Sequence, residues 1–323
     1  MKKLKFNKKS IIIISIIIVL FMIFTFSHSK LTRSSFAFDT YISISIYDKT
    51  ISTRRKAKLI DEAFKICSEL DEKYSKTNPQ SEIYKHNNSR VVLSDETKNL
   101  LEYAAYFHLL SDGKFDVTIE SLTSLWDVKN RKTLPTKEDI DDALDSIGAR
   151  YDFGAIVKGH ACDKIKEYFK SNSVRSAVIN LGGNVTCIGS KSLFKNFNIG
   201  IERPFSNSGN DVIKVVHIND KSVVTSGIYQ RYFKVDGDDR IYSHIIDPKT
   251  GYPVDNNLYS VTVISNSSLI GDMLSTTILL LNPDNDEMSE IIKKVNKDFS
   301  ETISVIVVDD NFAIHEFNTK SSL

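Results

Sequence analysis

Residues 152–163 read DFGAIVKGHACD, and residues 177–189 behind them read AVINLGGNVTCIG. The first stretch joins a glycine-bearing turn, a lysine and a helix. The helix's apolar positions Ala161, Cys162, Ile165, Tyr168 and Phe169 fall at helical spacing. Gly154 and Gly159 allow a tight turn and a close backbone approach to a bound group. Lys158 stands near the helix start, where free N–H groups and the helix dipole favour anions. The second stretch is a strand, a tight Gly182-Gly183 turn and a strand. By itself the first stretch reads equally well as a surface turn leading into a core helix, so the rest of the chain decides.

The 323 residues are 41% hydrophobic and 26% charged, an ordinary globular composition with length enough for a large core or two subdomains. Charge is uneven. Residues 1–30 hold six lysines and no acid, which leaves 36 basic against 41 acidic residues in the body, a net charge of −5. A body of that sign argues against nucleic-acid binding as the main task. Cys67, Cys162 and Cys187 are odd in number and lack a C-x-x-C pair, which argues against a disulfide framework or zinc site. Each sits in an apolar context and reads as a small buried hydrophobe.

Residues 10–29 carry no formal charge and 11–26 are almost wholly apolar. About 20 such residues span a bilayer as a helix. The lysines before them keep that end in the cytoplasm, which places the body outside it. The segment is a cleaved signal peptide or a retained anchor, and the length of the apolar run favours the anchor. No cysteine follows it to carry a lipid. The division is therefore 1–30 as signal or anchor and 31–323 as one extracytoplasmic domain.

In that domain, 36–47 reads as a strand that alternates from Thr40 onward. Residues 54–74 form an amphipathic helix that ends in a turn-rich segment, 74–89, and 94–112 form a helix capped by Ser94 or Asp95 and stopped by Gly113. In 113–128, Asp116 falls in an extended stretch and points away from its neighbours Phe115 and Val117, and Trp126 is core. A short acidic helix covers 136–147. Strands follow at 197–203, 211–218 and 223–232. His244 lies in an apolar strand before the turn DPKTG, where Pro fixes φ and Gly supplies positive φ; a lone strand histidine is most often structural. A strand covers 259–264. The helix 267–281 carries Asp272 and Thr276 at i and i+4, so both oxygens face one side, and a buried carboxylate there needs a partner. For the pair alone, an Asp–Thr hydrogen bond is a simpler explanation than a metal. The end of the chain reads helix, then strand–turn–strand.

In order, SEI, GKFDVTI…LW, DFGAIVKGHACD, INLGGN, TSGIY, HIIDPKTGYPV, SVTVIS and DMLSTT resemble the ApbE family of FAD:protein FMN transferases. The resemblance runs over about three quarters of the chain, and its strength lies in all motifs standing in register. It implies an α+β fold with mixed, largely antiparallel sheets and packed helices, and FAD in a cleft between subdomains. It implies Mg²⁺-dependent transfer of the FMN half of FAD onto a Thr or Ser hydroxyl of another protein, with release of AMP. It implies Mg²⁺ ligands in Asp272, Thr276 and the carbonyl of Ala155; a hard cation wants about six oxygens. By motif match, Phe38, Thr77, Lys114, Phe115, Asp116, Asp152, Lys158, Gly182, Gly183, Ser226 and Ile246 contact FAD. His244 falls at the motif histidine and would be the catalytic base, or would position the phosphate.

The chain departs from the family pattern in three places. Phe38-Asp39-Thr40 replaces the usual MGT, which adds a carboxylate near the flavin site. Thr77 stands where relatives carry an aromatic residue, at a position tied to transfer versus FAD hydrolysis. Residues 147–152 are too short for the hairpin that relatives have there. The competing functions are an FAD pyrophosphatase, sharing the metal site, and a catalytically inactive FAD-binding protein.

Overall fold

The computed structural model describes residues 14, 15, 29–131, 133–192, 194–206 and 211–318. The expected anchor lies almost wholly outside these residues. Among the described residues, no helix is long and apolar enough to cross a membrane.

The centre is an eight-stranded sheet in the order β1-β2-β3-β4-β7-β10-β11-β12. Its members are β1 (Leu31–Ala37), β2 (Thr40–Ile46), β3 (Ala177–Leu181), β4 (Asn184–Ile188), β7 (Ser222–Gly227), β10 (Leu258–Ser265), β11 (Ser304–Asp309) and β12 (Ile314–Phe317). All these pairings are antiparallel. The alternation in TYISISI puts Ile42, Ile44 and Ile46 in the core, as a period of two requires. Strands β7, β10 and β11 are buried along nearly their whole length because both sheet faces are covered.

One face carries α1 (Thr53–Tyr74), α3 (Asp95–Leu110), α6 (Val157–Ser171) and α7 (Ser268–Leu281). The other is covered by a separate hairpin of β5 (Phe197–Glu202) and β6 (Val212–Ile218). Its Phe197, Ile201, Val216 and Ile218 pack on Val223, Ile264 and Ile306. A smaller core gathers α4 (Glu120–Trp126), α5 (Lys137–Asp145) and the two-residue strands β8 (Tyr232–Phe233) and β9 (Tyr242–Ser243) around Trp126. The short helix α2 (Glu82–Ser89) and α8 (Asn285–Phe299) complete the described elements. The fold is thus α+β, and its named strands pair antiparallel throughout rather than in mixed sheets.

Several sequence expectations need correction. The predicted strand 36–47 is the end of β1, a two-residue turn and β2. Phe38 and Asp39 both have positive φ (53° and 60°), the conformation of a hairpin turn usually given to Asn-Gly. The pattern hides it because no glycine marks the turn and β1 is exposed on both faces. Inside the expected turn-rich segment 74–89 lies α2, capped by Ser81. Its Asn87 is used as an anchor: the side chain bonds both the N–H and the carbonyl of Tyr151. Within 113–128 the chain is helical from Glu120 to Trp126. His244 follows β9 in a bend rather than lying in a strand. Between Ile147 and Asp152 there is no hairpin, only a single bridge from Arg150 to Ile119.

The cysteines are buried and unpaired as expected, and burial pushes the thiols of Cys67 and Cys187 up to about 12. Trp126 is fully buried, with its indole N–H donating to the Gly251 carbonyl.

Two predictions follow from this packing. A β-carbon on Gly159 would lie 2.6 Å from the Ser268 carbonyl and 2.8 Å from Leu269 Cα and Asp272 Cβ. Gly159→Ala should therefore cost about 3 kcal/mol, because two backbones must separate; an unchanged urea midpoint would show that the helices do not meet as described. Glu96 accepts from Lys73 at 2.6 Å and meets His160 and Lys164 at 3.0 Å each. Burial pulls its carboxyl up, but these partners win and hold it at about 2. A folded-state value below the unfolded one gives stability that is present above about pH 4.5 and lost as pH falls toward 2. Glu96→Gln should cost about 2 kcal/mol at pH 7, and the difference from the parent should vanish over that acid window. A difference independent of pH would contradict the assignment.

Candidate active site

The site forms where α6 crosses α7. Gly159, the second residue after the start of α6, touches α7 backbone. Its N–H donates to Asp272 Oδ2 at 2.8 Å. The carbonyl of Ala155, four residues earlier, accepts no hydrogen bond from this or any other described backbone N–H. One diverted N–H thus leaves a half-buried carbonyl free close to a carboxylate. Asp163, one turn beyond Gly159, fixes the other end of the crossing. Its two oxygens accept from Ser267 Oγ and from the N–H groups of Ser268 and Leu269, capping α7. The sequence reading assigns Asp163 no role, although its i+4 spacing from Gly159 puts both on one face.

Helix α7 is buried from Ser268 to Leu280 except at Thr276. That single opening lies one turn from Asp272, which is itself 3% exposed. The Thr276 hydroxyl lies 3.0 Å from Ser226 Oγ at the end of β7, and Ser226 also meets Ser275 Oγ at 2.7 Å. Burial pushes the Asp272 carboxyl up, against the pull of Lys158 and the Gly159 N–H. Lys158 Nζ donates to Asn184 Oδ1 at 3.1 Å. The Asn184 side chain is fully buried and its Nδ2 has no partner; it faces Asp272 outside hydrogen-bond geometry. The sequence reading stops at Gly183 and misses this residue.

These groups suit a hard cation beside an anion. A buried carboxylate held up in pKa, a free carbonyl and a hydroxyl offer oxygen donors of the type Mg²⁺ prefers. Lys158 and the orphaned Asn184 amide carry N–H groups of the kind that phosphate oxygens accept from. Among the described residues no cluster of three His, Cys, Asp or Glu could hold a metal, so a site here must use such mixed oxygens.

The turns around this crossing are set by backbone geometry. Gly182 has φ +61°, and a β-carbon there would lie 2.4 Å from the Thr40 side chain. The β3–β4 turn therefore sits against the β1–β2 turn, and the Gly183 carbonyl accepts from the Thr225 N–H. Phe38 is buried, and its N–H donates to Asp71 at 2.9 Å. The added carboxylate of Asp39 is neutralised by Lys129 at 2.5 Å, with Arg231 at 3.9 Å. Arg231 also donates to the Phe38 and Asp39 carbonyls.

His244 is half-buried on the side of the smaller core. Its backbone N–H donates to the Arg231 carbonyl at 3.0 Å, and its Nδ1 lies 3.2 Å from the same oxygen. Nδ1 therefore carries the proton and Nε2 the lone pair. Burial, with Arg231 and Lys158 nearby, pushes its pKa down to about 4, so the ring is neutral at pH 7.

Asp152 pairs with Lys76 at 2.9 Å and accepts from Thr123 Oγ1 at 2.6 Å and from the Gly154 N–H. Burial pulls it up, and these partners hold it below the usual range. Asp116 points away from buried Phe115 and Val117, as the alternation predicts, and accepts from both the N–H and the hydroxyl of Thr118. Thr77 is exposed in the turn after α1, within 3.3 Å of Ser75 Oγ. Three predicted contacts are engaged elsewhere in the packing. Lys114 Nζ donates to the Leu280 carbonyl at the end of α7, Phe115 packs on Phe107, and Ile246 lies in the smaller core. A groove of about 490 Å³ beside Leu70, Glu96 and Tyr168 contains none of the predicted site residues.

Comparison with known proteins follows the same lines. An FAD:protein FMN transferase of Klebsiella pneumoniae (strain 342) is 36% identical over 208 residues, which cover 58% of this chain and 63% of that protein. One of Haemophilus influenzae is 26% identical over 321 residues, covering 86% of this chain and 89% of that protein. The crystal structure of the ApbE protein of Thermotoga maritima superposes with a TM-score of 0.78 at 27% identity, over 90% of this chain and 98% of that one. The ApbE family model matches residues 38–299, well over half of the sequence and all of the crossing just described, and the chain belongs to the ApbE family.

Proposed function

We propose that this chain, as an FAD:protein FMN transferase, moves the FMN half of FAD onto a Thr or Ser hydroxyl of an acceptor protein and releases AMP. The observation that carries this reading is the α6–α7 crossing. There the Gly159 N–H holds the buried Asp272 carboxylate with Lys158 nearby, the Ala155 carbonyl has no backbone donor, and Thr276 stands one turn along α7 from Asp272. Asp272, Thr276 and the Ala155 carbonyl would hold Mg²⁺, which supplies neutralisation of the pyrophosphate charge. Lys158 and Asn184 would bind phosphate oxygens and fix the pyrophosphate in place. His244 Nε2 takes the proton of the acceptor hydroxyl. That oxygen forms a bond to the FMN phosphorus, and the bond to the AMP phosphate oxygen breaks, its electron pair leaving with AMP. The Arg231 carbonyl holds the ring in the tautomer this needs. The uncharged run at 10–29 supports membrane attachment with this site on the extracytoplasmic side.

A second reading, FAD hydrolysis to FMN and AMP, draws on Thr77. Its small exposed side chain leaves open to water a place that relatives fill with an aromatic residue.

Two measurements test the proposal. His244→Ala should lower FMN transfer by about 10²- to 10⁴-fold while FAD still binds; unchanged turnover would remove the proton-transfer role. Because the ring is neutral above about pH 4, kcat/KM for the parent should not fall between pH 7 and pH 5. A loss centred near pH 6.5 would mean that the ring is not held neutral as described. Products with and without acceptor separate the two readings. FMN on the acceptor with little free FMN is the transferase result, and free FMN with AMP regardless of acceptor is the hydrolase result.

A further inference from the structure

The sheet has two ends, and the site occupies only one. The turns at 38–39 and 182–183 and the end of β7 lie at the site. The opposite end carries the start of β1, the segment 47–55, the turn 172–176 and the loop 189–197. Contacts tie these together: Tyr47 N–H donates to the Ser176 carbonyl, Arg55 to the Asn172 carbonyl, and Tyr47 packs edge-on against Phe197 at 5.2 Å.

That end is basic, although the body as a whole is acidic. Lys30, Arg54, Arg55, Arg175, Lys191 and Lys195 are all exposed there. Arg54 and Arg55 stand in the first turn of α1, which contains no acid; the helix dipole disfavours cations at that position, so helix stability does not explain them. The nearby acids are engaged. Asp48 is buried and accepts from Thr50 and from the Arg175 N–H, and Asp220 pairs with Lys170 at 2.9 Å. Between Lys191 and Lys195 stands Phe194, 91% exposed beside an open depression of about 570 Å³. Lysines flanking a protruding aromatic are the composition of an interfacial anchor.

The uncharged run 10–29 joins the body at this same end. The Ser29 carbonyl accepts from Lys56 Nζ at 2.6 Å, and Lys30 Nζ lies 4.9 Å from the centre of the Tyr47 ring. We propose that this basic end, with Phe194 at its tip, is a docking face for an anionic lipid surface. It would hold the active site about 20 Å away, the length of β1, facing outward toward acceptor proteins. The proposal rests on the reading of 10–29 as a membrane segment. Lys and Arg side chains near an anionic leaflet are each attracted within a Debye length, so the face orients a body that the segment merely tethers.

The test uses the full chain with Phe194→Trp, reconstituted in phosphatidylglycerol vesicles whose acyl chains are brominated near the headgroup. Native Trp126 is buried and serves as the unquenched reference. The introduced indole should be quenched, and the quenching should be lost in phosphatidylcholine vesicles, in high salt, or when Lys191→Glu and Lys195→Glu are added. A chain that floats with the vesicles while the indole stays unquenched would overturn the docking face and leave the anchor standing. Protection of the face by an acidic protein, without quenching, would overturn it in favour of protein docking. A chain that floats with no vesicle would overturn the anchor reading and this proposal with it.

Discussion

At Gly159 the backbone of α6 meets that of α7 with no room for a side chain, and the N–H at that point turns from its own helix to Asp272. Three consequences follow from this contact. The Ala155 carbonyl loses its natural partner, Asp272 is fixed at 3% exposure, and Lys158 is carried to the rim beside Asn184. Asp163 locks the geometry by capping α7 from the α6 side. The cost is a buried carboxylate whose pKa burial raises. Such a group is stabilised by a cation, so the close packing and the chemistry of the site have a common origin.

The same economy explains the surroundings. The glycine turn at 182–183 exists because Thr40 leaves no space for a β-carbon, and it aligns the loops of β1–β2, β3–β4 and β7 on one side of the crossing. The smaller core around Trp126 brings His244 and the Arg231 carbonyl from another side. Asp152 ties the two bodies together through Lys76 and Thr123. The Asp39 carboxylate, a departure from the usual glycine, adds no free negative charge, because Lys129 and Arg231 take it up.

Much of this was legible in the sequence where one residue has one role. The strand–turn–strand at 177–189 and the helices at 54–74 and 267–281 follow from periodicity alone. The i, i+4 pairing of Asp272 with Thr276 needs only helical geometry. What escaped notice depends on tertiary contact. The turn at Phe38-Asp39 lacks the residues that mark such turns, and α2 hides in an Asn-rich stretch whose Asn87 doubles as an anchor for Tyr151. The roles of Asn184 and Asp163 appear only once α6, α7 and β4 are brought together. The helix at 120–126 is only seven residues long, too short for a clear period, and shows itself once Leu122 and Trp126 are buried in the smaller core.

The claim on which the account turns is that the crossing creates a cation site from mixed oxygens. Binding of Mn²⁺ to the full chain, read by the loss of its free electron-spin-resonance signal, tests it directly. The account predicts a bound ion that is displaced by Mg²⁺ and is lost in both Asp272→Asn and Thr276→Val, with the fold intact by circular dichroism. Mn²⁺ binding unchanged in both variants would contradict it.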